Sequence, residues 1–307
     1  MRIAFLGTSP FAVPTLEALL NSDHKVVGVV TGPDKPAGRG RGLKPTPIKV
    51  RALEANLPIL TPEKLKNPEF LETYASWKPD AAVVVAYRIL PEVVFNMPLL
   101  GTLNLHPSLL PKYRGPAPLN WAIINGDKET GISVIRISKR IDAGGVVLQR
   151  TVPLFETDNT DSLARRLAPE GGEMILEALE GLANNSLKPI PQDESLVTKA
   201  PKLSKEDGLI NWTKPAEEIH NLVRGLFPWP GTYTTLAGKT LKLFNSTIIE
   251  MDGKAGNVLE LTDQVVIGTG RSAIAFKEVQ LQGKKRMPVV DFIRGHKLEP
   301  GTTMGEE

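Results

Sequence analysis

The pattern of apolar residues predicts an α/β protein: a Rossmann-like, mostly parallel sheet with helices on both faces, followed by a smaller, OB-like β-barrel domain. Three observations carry this. Short apolar runs alternate with amphipathic stretches through the first half of the chain, the rhythm of β-α-β units. One run, Ala81–Ala86, is apolar without alternation, as a strand covered on both faces should be. Near residue 190 the rhythm changes to short β-like runs separated by turns.

Arg2–Leu6 reads as the first strand, Phe11–Leu20 as a helix, and the valine-rich Lys25–Val30 as the next strand. Ile48–Ala55 and Pro68–Trp77 have helical spacing and lie before the Ala81–Ala86 strand. Extended runs follow at Ile132–Ile137 and Val146–Val152, then an amphipathic helix over about Ser162–Ala183. The stretch Lys188–Lys205 is polar, Pro-containing and without a period, so it reads as a linker. Beyond it a helix, Pro215–Leu226, stops at the Pro-Trp-Pro-Gly turn. Tyr233–Leu236, Thr240–Phe244, Gly256–Leu261, Val265–Thr269 and Ala273–Leu281 then recur at about ten-residue spacing, which suggests a small OB-like barrel. The expected boundaries are 1–189 for the first domain, 190–206 for the linker and 207–307 for the second domain.

Composition narrows the chemistry. The 307 residues are 41% hydrophobic and 23% charged, the range of a soluble globular protein. With no cysteine there is no disulfide, thiolate ligand or cysteine nucleophile. The four histidines, His24, His106, His220 and His296, show no metal-ligand spacing, so no metal is expected. A net charge of +3 says little about nucleic acid; where the basic residues cluster matters more. The N-terminal apolar run is too short for a signal peptide and no stretch reaches membrane-spanning length, so the cytosol is expected.

Gly101–Pro118 is the most informative segment. If Thr102–His106 is a strand, Asn104 and His106 project from one face. Pro107 cannot continue a central ladder, so His106 sits at the strand's carboxyl end, the edge where open α/β sheets bind ligands. An imidazole exchanges protons near neutrality, and an amide beside it can donate to a developing oxyanion. The plainer reading, a histidine that ends a strand and an asparagine that satisfies a turn, competes on equal terms. Ile141–Gly145 (IDAGG) places an acid, Asp142, in what is otherwise an ordinary turn.

Together these pieces resemble the folate-dependent formyltransferase family, marked by Asn-x-His before Ser-Leu-Leu-Pro and by a later Asp-x-Gly. The resemblance covers almost the whole chain. It includes Gly7–Pro14, Pro33–Lys49, His106–Pro118, Asn125–Val134, Ile210–Arg224, Phe227–Tyr233, and LQGKKRM and DFIRG near the end. Motifs dispersed in order weigh more than any single pattern.

The resemblance implies a Rossmann-like catalytic domain with a C-terminal barrel, a 10-formyltetrahydrofolate donor, and methionyl initiator tRNA as acceptor. On matched positions it implies Asn104, His106 and Asp142 as catalytic residues and Ser108, Leu109, Leu110 and Pro111 as the loop against the folate. Where the family usually has Ala-Tyr-Gly-x-Ile-Leu-Pro, this chain has AYRILP, one residue shorter. Arg88, Ile89 and Leu90 are kept as pocket residues on the pattern of other formyltransferases, with a plain strand-to-helix turn as the competitor.

Pro33–Lys49 carries Arg39, Arg41 and Lys44 on a Gly/Pro-rich loop that can reach phosphates or unpaired bases; the family uses this loop on the acceptor arm. Lys284, Lys285 and Arg286, with Arg271, Arg294 and Lys297, form a second candidate patch for phosphate attraction. A monomer with no membrane partner completes the expectation. Two other readings stay open: a formyltransferase for a small amine such as an amino-sugar nucleotide or purine precursor, and a non-catalytic RNA-binding protein.

Overall fold

The computed structural model describes residues 1–37, 42–296 and 298–305. Strand β1 (Arg2–Gly7) leads into helix α1 (Val13–Leu20) and strand β2 (Lys25–Val30). A short antiparallel pair, β3 (Lys35–Ala37) and β4 (Gly42–Lys44), precedes helix α2 (Pro47–Glu54) and strand β5 (Ile59–Leu60). Helix α3 (Pro68–Ser76), strand β6 (Ala81–Val85), helix α4 (Glu92–Phe95) and strand β7 (Thr102–His106) follow. After helix α5 (Pro118–Ile124) come strands β8 (Glu129–Arg136) and β9 (Val146–Pro153), then the long helix α6 (Thr160–Ala183).

The second half contains helix α7 (Ala216–Gly225) and strands β10 (Thr232–Leu236), β11 (Lys239–Ile249), β12 (Val258–Leu261), β13 (Val265–Gly268) and β14 (Ala273–Leu281). It closes with β15 (Met287–Pro288) and helix α8 (Val289–Gly295).

The chain forms two compact units. The first comprises Met1–Pro118, Glu129–Pro153 and Ala164–Ala200; the second comprises Leu119–Lys128, Leu154–Leu163 and Pro201–Glu307. Two short stretches inside the first expected domain thus belong to the second unit. The stretch expected as a linker belongs to the first unit as far as Ala200.

In the first unit the strand order is β5-β2-β1-β6-β7-β8-β9. Pairing is parallel from β5 through β7 and antiparallel at β7–β8 and β8–β9. The order runs outward in both directions from β1, so the crevice at the carboxyl ends of β1, β6 and β7 is the switch point where such sheets bind ligands. Strand β6 is buried at all five residues, as its unbroken apolar run requires. Phe70, Tyr74 and Trp77 of the α3 region pack with Leu6, Val27 and Val84 of the sheet. Helix starts are locally encoded: Thr46 and Asn67 accept hydrogen bonds from the amides of Lys49 and Glu69, with prolines in the first turns.

The second unit is a six-stranded antiparallel sheet, ordered β10-β11-β14-β13-β12 with β15 on β14. Ile219 and Val223 of α7 and Phe292 of α8 join Leu241, Leu243 and Phe276 in one core. Trp212 meets Phe276 edge-on and donates its indole N–H to Thr234 Oγ1 at 3.1 Å. Burying each such ring stabilises by about 1.5–3 kcal/mol.

His220 on α7 is half-buried, with Nδ1 2.8 Å from Ser246 Oγ. Burial first, and the neighbouring Arg224 second, push it down to about 4. The folded state therefore keeps it neutral, while the unfolded chain takes up a proton near pH ~6.5. Its contribution to stability is present above pH ~6.5 and is lost as pH falls toward about 4. Thermal unfolding at pH 7 and pH 5 should show a smaller fall in Tm for His220→Gln than for the parent; an identical fall would refute the assignment.

Candidate active site

Strand β7 holds the centre of the site because it is the last strand of the parallel run. On one side it pairs in parallel with β6, and on the other it meets β8 antiparallel, His106 opposite Ser133. Asn104 and His106 lie two residues apart on this strand. The carboxamide of Asn104 is half-buried and has no hydrogen-bond partner among the described residues. His106 is 5% exposed. Its Nε2 lies 3.0 Å from the backbone oxygen of Tyr113, which can only accept, so this nitrogen carries a proton.

His106 Nδ1 faces Asp142 Oδ1 at 3.7 Å, an ion-pair separation longer than a hydrogen bond. The other oxygen of Asp142 accepts the Gly115 amide at 2.9 Å. The structure therefore brings together an imidazole and a carboxylate that are 36 positions apart in sequence. Asp142 occupies the left-handed region at φ +50. Gly144, two residues on, is forced by close approach: a Cβ there would sit 1.8 Å from the Arg136 carbonyl oxygen. Gly115, at φ +132, likewise leaves no room for a side chain against the Ala200 carbonyl.

The loop after β7 is fixed by residues whose role the sequence did not reveal. Ser133 on β8 donates to the Ser108 carbonyl at 2.6 Å and accepts the Leu110 amide at 3.1 Å. Gln149 on β9 donates to Ser133 Oγ and to the Leu110 carbonyl. Ser108 and Leu110 are turned into the fold, the Ser108 hydroxyl donating to the Lys112 carbonyl at 2.7 Å. Leu109 and Pro111 remain partly exposed, so the loop offers its backbone and these two side chains.

The adjacent loop after β6 leaves its strand through Ala86 at φ +47. Arg88 is exposed and donates to the carbonyls of Pro62 and Glu63, its guanidinium 5.5 Å from the Tyr87 ring. Leu90 is buried and Ile89 is 71% exposed. Of the three, Ile89 alone presents an unburied apolar side chain.

The basic residues fall into three groups. Arg39, Arg41 and Lys297 lie outside the described residues. Lys44 is exposed at the end of β4, in a segment expected as an irregular loop that instead forms the β3–β4 pair. Lys284 and Lys285 are exposed and make no ion pair among the described residues, whereas Arg286 is committed to Glu278 and lies 4.3 Å over the Phe244 ring. Arg271 and Arg294 are also in the second unit, the latter paired with Asp291. Among the described residues no helix is long and apolar enough to cross a membrane.

Known proteins resolve what this geometry belongs to. The family model described as formyl transferase matches residues 1–179, and that of the formyl transferase C-terminal domain matches residues 202–297. The chain belongs to the formyl transferase family. As a formyltransferase it is 43% identical to the methionyl-tRNA formyltransferase of Citrifermentans bemidjiense, covering 100% of this chain and 97% of that one. It is 44% identical to the methionyl-tRNA formyltransferase of Desulforamulus reducens, covering 100% and 98%.

Among solved structures, HypX from Aquifex aeolicus in complex with tetrahydrofolic acid superposes with a TM-score of 0.69 at 25% identity. That match covers 98% of this formyltransferase but 50% of HypX, so the chain spans half that protein's length. The sugar 3N-formyl transferase WlaRD, solved with dTDP and 5-N-formyl-THF, has a TM-score of 0.68 at 20% identity and covers 93% and 99%. At that identity it speaks to the fold alone.

Proposed function

We propose that this formyltransferase moves the formyl group of 10-formyltetrahydrofolate onto the α-amino group of methionyl initiator tRNA, as a cytosolic enzyme of translation initiation, with Asn104, His106 and Asp142 as the reacting set. The observation that carries the proposal is the approach of Asp142 to His106 at the carboxyl edge of β7, in a chain similar to methionyl-tRNA formyltransferases along its whole length.

The chemistry follows from the groups present. The amine attacks the formyl carbon, and negative charge collects on what was the carbonyl oxygen. Asn104 Nδ2 is a donor with no competing partner among the described residues and can meet that oxygen directly. His106 holds its Nε2 proton on Tyr113, so it joins as a donor once that contact is exchanged for the substrate oxygen. The carboxylate at Nδ1 keeps the ring oriented and takes part in moving the amine's proton. The C–N bond to the folate breaks as the new amide forms, and the departing folate nitrogen gains a proton. The loop after β7 supplies a fixed backbone wall for the donor, and the loop after β6 supplies the exposed Ile89.

The test offers 10-formyltetrahydrofolate with methionyl initiator tRNA, free methionine or an amino-sugar nucleotide. Formylation of the charged tRNA alone is expected. Transfer to the sugar nucleotide but not the tRNA would establish a small-amine enzyme, and tRNA retention without any transfer would establish a binding protein. On the acceptor side, the Arg/Gly-rich composition around Arg41 leads us to expect that Arg41→Ala raises KM for charged tRNA while leaving folate binding intact. Arg39, Lys44, Lys284 and Lys285 are assigned the same kind of contact. Equal loss of folate binding would make the loop structural.

A further inference from the structure

The polar stretch after residue 190 contains a side chain aimed back at the candidate site. Gln192 Nε2 donates to the carbonyl oxygens of Asp142 and Gly144 at 2.8 and 2.7 Å, using both its hydrogens. Its Oε1 accepts from Arg114 Nε and Nη2 at 3.0 and 2.8 Å. Two carbonyls on one side and a guanidinium on the other admit one orientation of the amide. Arg114 itself follows Tyr113, whose carbonyl holds His106, and precedes Gly115, whose amide holds Asp142.

The far side of Arg114 is anchored too. It pairs with Glu194, as does Arg140, and these guanidiniums, Arg114 first, hold Glu194 at about 2. The backbone is tied in parallel: Arg114 N donates to Thr198 O at 2.9 Å, and Ala200 N to Arg114 O at 2.8 Å. Asp142 sits in the left-handed region, uncommon outside glycine though aspartate tolerates it better than most residues. The Gln192 amide braces that turn, bridging the Asp142 and Gly144 carbonyls.

We infer that Gln192 is a positioning residue for formyl transfer: by clamping the 142 and 144 carbonyls it sets Asp142 Oδ1 against His106 Nδ1. This rests on the reading in which Asp142 serves the reaction. Reacting groups lose about a hundredfold when displaced by ~1 Å, so loss of the clamp acts on turnover rather than on substrate affinity. Glutamate at this position has the same size and pairs more strongly with Arg114, yet presents only acceptors to two carbonyls. A residue that merely fastened the 192–200 segment to Arg114 would tolerate that change.

The full-length chain carrying Gln192→Glu is expected to lose roughly 10- to 100-fold in kcat, with KM for folate and charged tRNA within about threefold. Gln192→Met, which lacks the donor without adding charge, should lose a similar factor. On an Asp142→Asn background the Gln192→Glu change should remove less than about twofold more, because both act through one carboxylate. Wild-type kcat in Gln192→Glu, or its full loss carried undiminished onto the Asp142→Asn background, would overturn the inference. So would failure of both Gln192 variants to fold, which would make the residue structural. Wild-type kcat in Asp142→Asn alone would instead remove the catalytic reading of Asp142, and the inference with it.

Discussion

Asn104→Ala is expected to lower kcat by ~10²–10³, the usual consequence of deleting one donor to a developing oxyanion, while leaving Tm nearly unchanged. Its carboxamide is half-buried on β7 and binds nothing among the described residues, so truncation leaves no orphaned partner behind. His106→Ala should show a comparable loss of turnover together with a real cost in stability. It removes the ring's hydrogen bond to the Tyr113 carbonyl and leaves Asp142 facing a gap; losing one such hydrogen bond costs about 0.5–1.5 kcal/mol. Rates are therefore to be compared well below the Tm of the weaker variant. Groups that act on one atom do not add, so the double variant should lose far less than the product of the single losses. An Asn104→Ala enzyme within threefold of the parent in kcat would remove the carboxamide from the mechanism.

The second large effect lies in the turn that carries Asp142. Gly144→Ala puts a methyl 1.8 Å from the Arg136 carbonyl oxygen, and that oxygen is backbone at the end of β8, unable to swing aside. Either the strand end or the turn must move. Overpacking of this kind costs about 1–3 kcal/mol, read as a fall in Tm, and the displaced turn takes Asp142 with it. Turnover should fall by ~10²-fold if the shift reaches ~1 Å. Gly295→Ala is the control: nothing lies within 4 Å of the added carbon, so the rate should not change and Tm should hold or rise, since alanine in a helical position favours the folded state by up to about 1 kcal/mol. A Gly144→Ala protein with unaltered kcat would mean that the turn can yield without moving its carboxylate.

The parts legible in the sequence were those written in local periodicity. Arg2–Leu6, Lys25–Val30 and Ala81–Ala86 read as strands from their apolar residues, and they became the neighbouring strands β1, β2 and β6, buried apart from Arg2 and Lys25. The helical spacing at Ile48–Ala55 and Pro68–Trp77 became α2 and α3. The short antiparallel pair at Lys35–Lys44 was not legible, because glycine- and proline-rich composition favours a loop and the pairing extends over only three residues a side. The roles of Gln192, Gln149 and Ser133, the last inside the Asn125–Val134 match, went unread for another reason. Each acts through backbone carbonyls or hydroxyls that tertiary folding brings near, and no spacing along the chain records that. Arg286 was read only as one of a basic patch; its pairing with Glu278 and its place over the Phe244 ring depend on strands brought together by folding.

Antiparallel pairing at β7 separates the upkeep of the two loops that border the crevice. Among the described residues, the bolts on the 107–111 segment come from Ser133, Gln149 and the Thr198 amide, all later in the chain, and none comes from the turn at 86–91. Shortening that earlier turn by a residue therefore leaves the anchorage of its neighbour untouched. Such a sheet lets one wall of a cleft change length while the opposite wall stays in register.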